Sequence, residues 1–298
     1  MTGRDFEPRA VRVWALKDGN GPIFGPGRTA MTEIVTEGIG GLRVAKAEPR
    51  GPSEGPPLLF VHGMWDGSWI WHNYLGFFPA RGHACYALDL RGRAGSRPVP
   101  DIGKVRFREY VEDAQAVAQA LGNPVLVGHS AGGLIVQKLA EVLDPPAVVA
   151  LVPAAPRGVF ALASKELLLA ALRHAPEILL GRPLMPDKEE MTRLQLSNLP
   201  LEERDRVYGL QIPESGRQTF DIAVKGFPVD ASKVRCPMLV VGAGRDRITP
   251  PQVTEKVAKK YGADLRAYEG FAHMLLLEPG WERVATDVAD WLVGALRA

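Results

Sequence analysis

Hydrophobic positions in the middle of the chain form short continuous runs separated by longer stretches with helical spacing. The continuous runs predict strands, which fall at 58–62, 84–90, 125–127, 147–152, 237–241 and 265–268. The stretches with helical spacing predict helices at 69–79, 107–121, 134–143, 252–261 and 281–296. Because strands without alternation are apolar on both faces, the pattern predicts a parallel sheet with helices on both sides.

The beginning of the chain departs from this alternation. Residues 1–30 are rich in glycine and proline, which predicts an irregular N-terminal extension with one strand at 11–16. Two strand-like runs, 32–36 and 42–47, flank a glycine-rich stretch that contains Gly38, Gly40 and Gly41. This arrangement predicts a β-hairpin.

A second departure covers residues 156–230, where apolar residues have helical spacing and several prolines interrupt them. Because this stretch separates two predicted sheet strands, we expect it to form a helical cap over the carboxyl edge of the sheet. The alternative is that its leucine and methionine side chains only fill a core. The predicted domains are therefore an extension (1–30), a core (31–155 and 231–298) and a cap (156–230).

Composition excludes several classes of function. The chain has 298 residues, 36 basic and 34 acidic, and no long basic run, so we expect no nucleic-acid partner. No apolar stretch reaches the ~18 residues of a membrane span, and residues 1–14 lack the apolar run of a signal peptide. Cys85 and Cys236 fit no metal-binding pattern and are interpreted as small core residues, with an unsupported disulfide as the alternative. We therefore expect a soluble cytoplasmic protein.

The strand predicted at 125–127 leads into a G-x-S-x-G motif, Gly128-His129-Ser130-Ala131-Gly132, and an apolar helix follows directly. In a chain with 32 glycines the motif alone is weak, but between a strand and a helix it predicts a nucleophilic serine at a sharp turn. Such a turn leaves no room for side chains on either side of Ser130, which accounts for Gly128 and Gly132.

A serine hydroxyl becomes reactive only beside a base, and that base needs a group to orient it. The loops at the carboxyl ends of parallel strands meet at one edge of the sheet. Asp246 follows the strand at 237–241, and His273 follows the last strand. We therefore predict His273 as general base and then general acid, with Asp246 fixing its tautomer. The order Ser, Asp, His along the chain is typical of serine hydrolases built on such a turn.

The remaining histidines are interpreted as structural. Two flank strand ends, two lie around the first helix, and one lies in the predicted cap and is expected to face solvent; these are His62, His129, His72, His83 and His174.

Two other aspartates, Asp221 and Asp230, also lie between Ser130 and His273. For a loop aspartate the usual alternative is a role in a turn or a helix cap. Asp246 is preferred because it follows a strand, whereas residues 152–156, after the preceding strand, include no carboxylate.

Stabilising an oxyanion needs two preorganised backbone N–H groups. Ala131, the residue after the nucleophile, should supply one. The other should come from the loop after the strand at 58–62, where Gly63 lets the chain bend; Met64 N–H is the first choice and Trp65 N–H the second.

Together these motifs resemble those of the α/β-hydrolase superfamily over about residues 31–298; they are His62-Gly63, the turn at 128–132, Gly244-Arg245-Asp246 and Ala272-His273. The resemblance implies an α/β-hydrolase fold with a mostly parallel eight-stranded sheet, helices on both faces, a Ser-Asp-His triad and no cofactor or metal.

Residues 62–71 (HGMWDGSWIW) also resemble the plant methylesterase and hydroxynitrile lyase branch of this superfamily. Lyases of that branch tend to carry threonine after the first histidine and lysine after the catalytic one, where this chain has Gly63 and Met274. A lysine can hold a leaving cyanide and a methionine cannot, so both differences favour ester hydrolysis. Ser130 replaces the nucleophilic aspartate of related epoxide hydrolases and haloalkane dehalogenases, which disfavours those activities.

The sequence thus predicts a serine carboxylesterase that acts through an acyl-enzyme on a small or medium uncharged ester. The substrate is expected between the cap and the residues Gly63, Met64, Trp65 and Met274. Thioesterase, lactonase, carbon–carbon hydrolase and perhydrolase activities use the same triad and stay open. The alternative from another class is a non-catalytic receptor for a small ligand on the same fold.

Overall fold

The computed structural model describes residues 33–53, 55–93, 95–160 and 164–297, so the predicted extension and its strand at 11–16 lie outside the described residues. Eight strands form one sheet in the order β1-β2-β4-β3-β5-β6-β9-β10. Strand β2 runs antiparallel to both of its neighbours, and every other pairing in this sheet is parallel. The predicted mostly parallel eight-stranded sheet is therefore confirmed.

The strands of this sheet are β1 (Ile34–Ile39), β2 (Leu42–Ala47), β3 (Leu58–Val61), β4 (Cys85–Asp89), β5 (Val125–His129), β6 (Val148–Leu151), β9 (Met238–Ala243) and β10 (Asp264–Tyr268). A separate two-stranded ribbon consists of β7 (Pro183–Leu184) and β8 (Glu214–Ser215).

The α-helices are α1 (His72–Phe77), α2 (Phe107–Ala120), α3 (Ala131–Leu143), α4 (Lys165–Arg173), α5 (Ala175–Leu180), α6 (Lys188–Leu194), α7 (Leu201–Leu210), α8 (Gly216–Thr219), α9 (Pro251–Tyr261) and α10 (Trp281–Ala295). A π-helical turn, Phe220–Val224, extends α8, and short 3₁₀ helices lie at Ser68–Trp71, Pro79–Arg81, Ile102–Lys104 and Ala231–Lys233.

Apolar side chains cover both faces of the sheet because alternate residues of a strand point to opposite sides. In β3, Leu58 and Phe60 pack into one cluster with Trp71 and the buried residues of α10. Leu59 and Val61 pack into a second cluster with residues of α2, α3 and α9. This two-sided burial explains why the strand sequences are continuously apolar.

The hairpin forms as predicted between β1 and β2, with Ile39 paired to Leu42. Its two-residue turn is Gly40-Gly41, at φ of 59° and 78°, whereas Gly38 lies inside β1. Positive φ at both central residues is what a two-residue hairpin turn requires, and glycine adopts it without strain.

Two predicted helix bounds were wrong. The single helix expected at 69–79 is divided into the 3₁₀ helix Ser68–Trp71 and α1, because the first turn is wound more tightly, as is common at helix starts. The helix expected from 134 begins at Ala131, since the turn at Ser130 leads directly into it.

Residues 156–230, here called the inserted segment, lie in sequence between β6 and β9 and contain α4 to α8 and the β7–β8 ribbon. Its helical character is thus observed in the described residues, whereas its bounds as a domain stay a prediction. None of the helices in the described ranges combines the length and apolarity needed to cross a bilayer. Cys85 is buried and Cys236 half-buried, and both are free thiols, so the disulfide alternative does not hold.

Candidate active site

The turn at Ser130 joins β5 to α3 with a backbone φ of 54° and ψ of −118°. A Cβ on Gly128 would lie 2.3 Å from Gly132 O, and a Cβ on Gly132 would lie 2.2 Å from Val61 O. Either contact is far inside van der Waals distance. Glycine is therefore required on both sides of Ser130, as the motif predicted.

Strained backbone is concentrated around this turn. Among the described residues, five non-glycine residues have positive φ; Asn123 and Asp144 are types that tolerate it, and the other three are Trp65, Ser130 and Val152. Val152 lies beside Ser130, because residues on both sides of it hydrogen-bond Ser130. Ser130 N–H donates to Leu151 O at 3.0 Å, and Ala154 N–H donates to Ser130 O at 2.9 Å. Such strain persists only where the surroundings hold it, and it is typical of functional sites.

The predicted serine, histidine and aspartate come together at the carboxyl edge of the sheet. His273 Nε2 lies 3.0 Å from Ser130 Oγ, and His273 Nδ1 lies 2.7 Å from Asp246 Oδ2. Since a carboxylate only accepts, Nδ1 carries the imidazole proton, and Nε2 is left to accept from the Ser130 hydroxyl. The three residues are 8%, 1% and 4% exposed in the order Ser130, His273, Asp246.

The Asp246 carboxylate is oriented by its own loop. Its Oδ1 accepts from Ile248 N–H at 2.8 Å and from Thr249 N–H at 2.9 Å. Its Oδ2, which faces His273, also lies 2.7 Å from Thr249 Oγ1. These donors fix the orientation of the carboxylate and the oxygen that the imidazole contacts.

The group that anchors the His273 loop was not predicted from the sequence. Glu278 is buried, and one of its carboxylate oxygens accepts from Ala272 N–H at 2.9 Å, while burial raises its pKa. Asn198 of the inserted segment donates to the same carboxylate and, at 3.1 Å, to Gly270 O. A single glutamate five residues after His273 gives no sequence signal, because its partner is 80 residues away.

On the other side of Ser130, residues 62–66 approach the turn closely. A Cβ on Gly63 would lie 2.9 Å from Ser130 Cβ and 3.2 Å from His129 Nδ1, so only glycine lets the loop come this near. Met64 is half-buried next to it. The N–H of Trp65, the second choice for an oxyanion donor, instead faces Glu214 Oε2 at 3.4 Å.

Ala131 begins α3, a helix of 13 residues. The N–H groups of a first helical turn have no partner within the helix, and they lie at the positive end of its dipole. The N–H of Ala131 is therefore suited to face negative charge that develops beside Ser130.

His62 and His129 are buried supports of the two loops. His62 donates from Nδ1 to Gly63 O at 2.8 Å and accepts at Nε2 from Leu90 N–H at 3.2 Å. His129 donates from Nε2 to His273 O at 2.8 Å. Burial, together with the charge of Arg93, holds the pKa of His62 well below its usual value. Burial and the nearby His273 lower the pKa of His129 to about 3, so both rings are neutral.

Two further histidines match the expectation of packing near the first helix. His72 begins α1, and the ring of His83 packs edge-on against Phe78. His174 does not face solvent as expected, because its Nε2 lies 3.1 Å from Glu190 Oε2 inside the inserted segment.

The two aspartates considered as alternatives to Asp246 have other roles. Asp221 forms an ion pair with Arg106 at 3.0 Å, and Asp230 caps the 3₁₀ helix that begins at Ala231. Of the residues expected to contact substrate, Gly63 packs on the Ser130 turn and Met274 is fully buried in a core cluster. Trp65 packs against that same cluster while its indole Nε1 donates to Leu184 O at 3.1 Å.

Comparison with known proteins is consistent with this geometry. A model of the alpha/beta hydrolase family matches residues 58–287. The chain belongs to the alpha/beta hydrolase family, and the superfamily predicted from the motifs is confirmed. The narrower methylesterase and hydroxynitrile lyase branch stays a prediction.

Curated relatives include a lipase and an esterase. A monoacylglycerol lipase of Mycolicibacterium smegmatis is 25% identical over 289 residues, which cover 87% of this chain and 96% of the relative. Esterase PIR7B of Oryza sativa subsp. japonica is 41% identical over 85 residues, which are 26% of this chain and 31% of that protein. The second match therefore spans about a third of the relative.

Solved structures share the fold. The monoacylglycerol lipase of Paleococcus ferrophilus superposes with a TM-score of 0.65 at 23% identity, covering 85% of this chain and 99% of its own. Carboxylesterase CesB of Bacillus subtilis has a TM-score of 0.65 at 19% identity, and the match covers 89% of this chain and 93% of that protein.

Proposed function

We propose that the protein is a carboxylic-ester hydrolase in which Ser130 is the nucleophile. The observation that carries the proposal is the continuous line of contacts from Ser130 Oγ through the His273 imidazole to Asp246, at 3.0 and 2.7 Å. This geometry, with a nucleophile beside a base and an orienting carboxylate, is what activation of a hydroxyl needs.

In the first half of the reaction, Ser130 Oγ forms a bond to the acyl carbon and gives its proton to His273 Nε2. The carbonyl oxygen becomes an oxyanion, and the N–H groups of Met64 and Ala131 donate hydrogen bonds to it. The carbon–oxygen bond to the alcohol then breaks, and His273 returns the proton to the departing oxygen. Asp246 stabilises the imidazolium between these transfers.

In the second half, water takes the place of the alcohol. His273 Nε2 accepts a proton from the water as its oxygen attacks the acyl-enzyme. The bond to Ser130 breaks, and the imidazole returns the proton to Ser130 Oγ. The imidazole thus accepts a proton and gives it back once in each half of the reaction.

The inserted segment is proposed to act as a cap. Leu184 and Ile212 of this segment hydrogen-bond Trp65, beside the predicted donor Met64. This contact supports a substrate site between the segment and the residues Met64 and Trp65; Met274, buried in the core, would support it from behind. Apolar side chains there favour a small or medium uncharged ester.

The experiment is a Ser130→Ala substitution assayed on p-nitrophenyl esters of increasing acyl length. Loss of a triad nucleophile costs on the order of 10⁶ in turnover, so hydrolysis should fall to background while the thermal midpoint stays near that of the wild type. Ser232→Ala, at an exposed serine that contacts Asp230, is the matched control and should keep full activity. Retained hydrolysis by Ser130→Ala would refute the serine route.

The same wild-type preparation separates the alternatives. Parallel assays with a thioester, a lactone and a peracid-forming mixture show whether the ester is the preferred acyl donor. A receptor on this fold would turn over none of them, while it bound a small ligand tightly.

A second candidate, hydrolysis of a monoacylglycerol, is favoured by leucines on α4 and α5. Five of them, Leu168, Leu169, Leu172, Leu179 and Leu180, are each at least 50% exposed. Large exposed apolar patches often mark surfaces that bind apolar ligands, membranes or other proteins. Faster cleavage of long-chain monoacylglycerol micelles than of short soluble esters, reduced by Leu172→Gln, would support this candidate; equal rates for both substrates would remove it.

A further inference from the structure

Trp65 is the strained residue of the loop that carries the proposed oxyanion donor. Its φ of 64° lies in the left-handed region, where a bulky residue is an outlier. A conformation of this kind costs about 1–3 kcal/mol and persists only when contacts around it hold it. Met64, the proposed oxyanion donor, is the preceding residue.

The contacts that hold Trp65 come from the inserted segment. Its N–H donates to Glu214 Oε2 at 3.4 Å, and its carbonyl accepts from Ile212 N–H at 3.0 Å. Its indole Nε1 donates to Leu184 O at 3.1 Å. Both backbone polar groups of the residue are thus bonded to a part of the chain more than a hundred positions away.

Asp66, the next residue, is held in the same way. Its side chain is 1% exposed, and its two carboxylate oxygens accept from Gln195 Nε2 at 3.2 Å and Gln211 Nε2 at 3.1 Å. The two glutamines also hydrogen-bond each other. Burial raises the pKa of Asp66 to about 7.

A second buried group completes the attachment. Arg93 Nε donates to Asp66 O at 2.8 Å, and its guanidinium pairs with Glu214. Glu214 Oε1 accepts from Tyr110 OH at 2.8 Å. Burial alone would lower the pKa of Arg93, but the Glu214 carboxylate holds it above its usual value.

We propose that Asp66 and Gln211 are positioning residues of the oxyanion hole, through which the inserted segment fixes the direction of the Met64 N–H. Burying this many charged and amide groups costs desolvation free energy, and replacing them with apolar side chains often does not reduce stability. Asp66 directly follows the strained residue, and Gln211 directly precedes Ile212, whose N–H donates to the Trp65 carbonyl, so these contacts point to orientation of the loop. The inference rests on the proposed function, because it assigns Met64 as a donor to the oxyanion.

The test compares Asp66→Ala and Gln211→Met, which keeps the side-chain volume, with Asp113→Ala. Asp113 is an equally buried carboxylate, and its hydrogen bonds go to Arg91 and Arg97. A misplacement of ~1 Å at the reacting groups costs ~10²-fold, so kcat in the first two variants should fall about 10- to 100-fold with KM changed less than about threefold. Asp113→Ala should lose stability and keep kcat.

The rate of fluorophosphonate labelling at Ser130 is the second readout, since that reaction also develops negative charge on an oxygen in the hole. It should slow by a factor similar to kcat in Asp66→Ala and Gln211→Met. If Asp66→Ala does not fold, Gln211→Met decides the question by itself.

These measurements distinguish failure of the proposed function from failure of the positioning role. Wild-type protein that is not labelled at Ser130 contradicts the proposed function. Wild-type labelling together with unchanged kcat and labelling rate in Gln211→Met overturns only the positioning role and leaves the hydrolase mechanism intact.

Discussion

The two sides of the candidate site are held by different kinds of contact. Ser130 and Asp246 are fixed by backbone groups of the sheet and its loops, such as Leu151 O and the N–H groups of Ile248 and Thr249. Residues 65 and 66, on the other side, are fixed mainly by side chains and backbone of the inserted segment. The proposed proton relay thus depends mainly on the sheet and its loops, with Asn198 of the inserted segment supporting the His273 loop. The proposed oxyanion side depends mainly on the inserted segment.

The largest effect is expected on the sheet side, from Asp246→Asn. The amide cannot hold the imidazole in the tautomer that accepts the Ser130 proton, so turnover should fall by ~10⁴. Steady-state hydrolysis of a p-nitrophenyl ester measures it. Asp230→Asn changes an exposed helix cap and should leave turnover unchanged. A loss of only a few-fold in Asp246→Asn would mean that another acid orients His273.

An intermediate effect is expected where the two sides touch, from Gly63→Ala. The added Cβ would lie 2.9 Å from Ser130 Cβ, so loop 62–66 must move away from the turn. A shift of this size should lower kcat by ~10²-fold while Ser130, His273 and Asp246 keep their contacts. Gly76→Ala in α1, where nothing lies within 4 Å of the new Cβ, is the control. Equal activities of the two variants would show that loop 62–66 does not take part.

A smaller effect, measured here on stability, is expected from Asp66→Asn. The pKa of Asp66 is about 7 in the folded protein against 3.8 without burial, so between these values the folded state holds a proton that the unfolded chain releases. Its contribution to the free energy of unfolding therefore falls as the pH rises from about 4 to about 7. Asparagine removes this contribution.

Urea unfolding of both proteins at about pH 4 and about pH 8 measures the difference. Relative to the wild type, Asp66→Asn should gain stability with rising pH, by at most roughly 4 kcal/mol. The buried neutral His62 and His129 stabilise the fold above their unfolded pKa and lose that effect in acid, but they act equally in both proteins and cancel. The same difference at both pH values would show that Asp66 does not carry the raised pKa.

The sheet side of the site could be predicted from the sequence because its residues stand in recognisable local patterns. Gly128 and Gly132 bracket Ser130, and Asp246 and His273 each follow an apolar strand. The parallel sheet then brings the strand ends to one edge, so three distant residues could be placed together from the pattern alone.

The side of the site around residues 65 and 66 has no such local sequence pattern. Asp66 contacts Gln211 across 145 positions, and Glu278 contacts Asn198 across 80. Pairs of this kind follow no period of a helix or strand, and each residue alone looks like an ordinary surface polar group. The same limitation explains His174, which was expected in solvent and instead contacts Glu190.

Mass spectrometry of the protein after reaction with a fluorophosphonate shows whether Ser130 is the nucleophile. Ser130 Oγ attacks phosphorus as it would a carbonyl carbon, fluoride leaves, and the adduct is not readily hydrolysed. We expect one adduct per chain, on the peptide that contains Ser130, and none in His273→Ala over the same time. An adduct on another serine, or no adduct on the active wild-type protein, would contradict it.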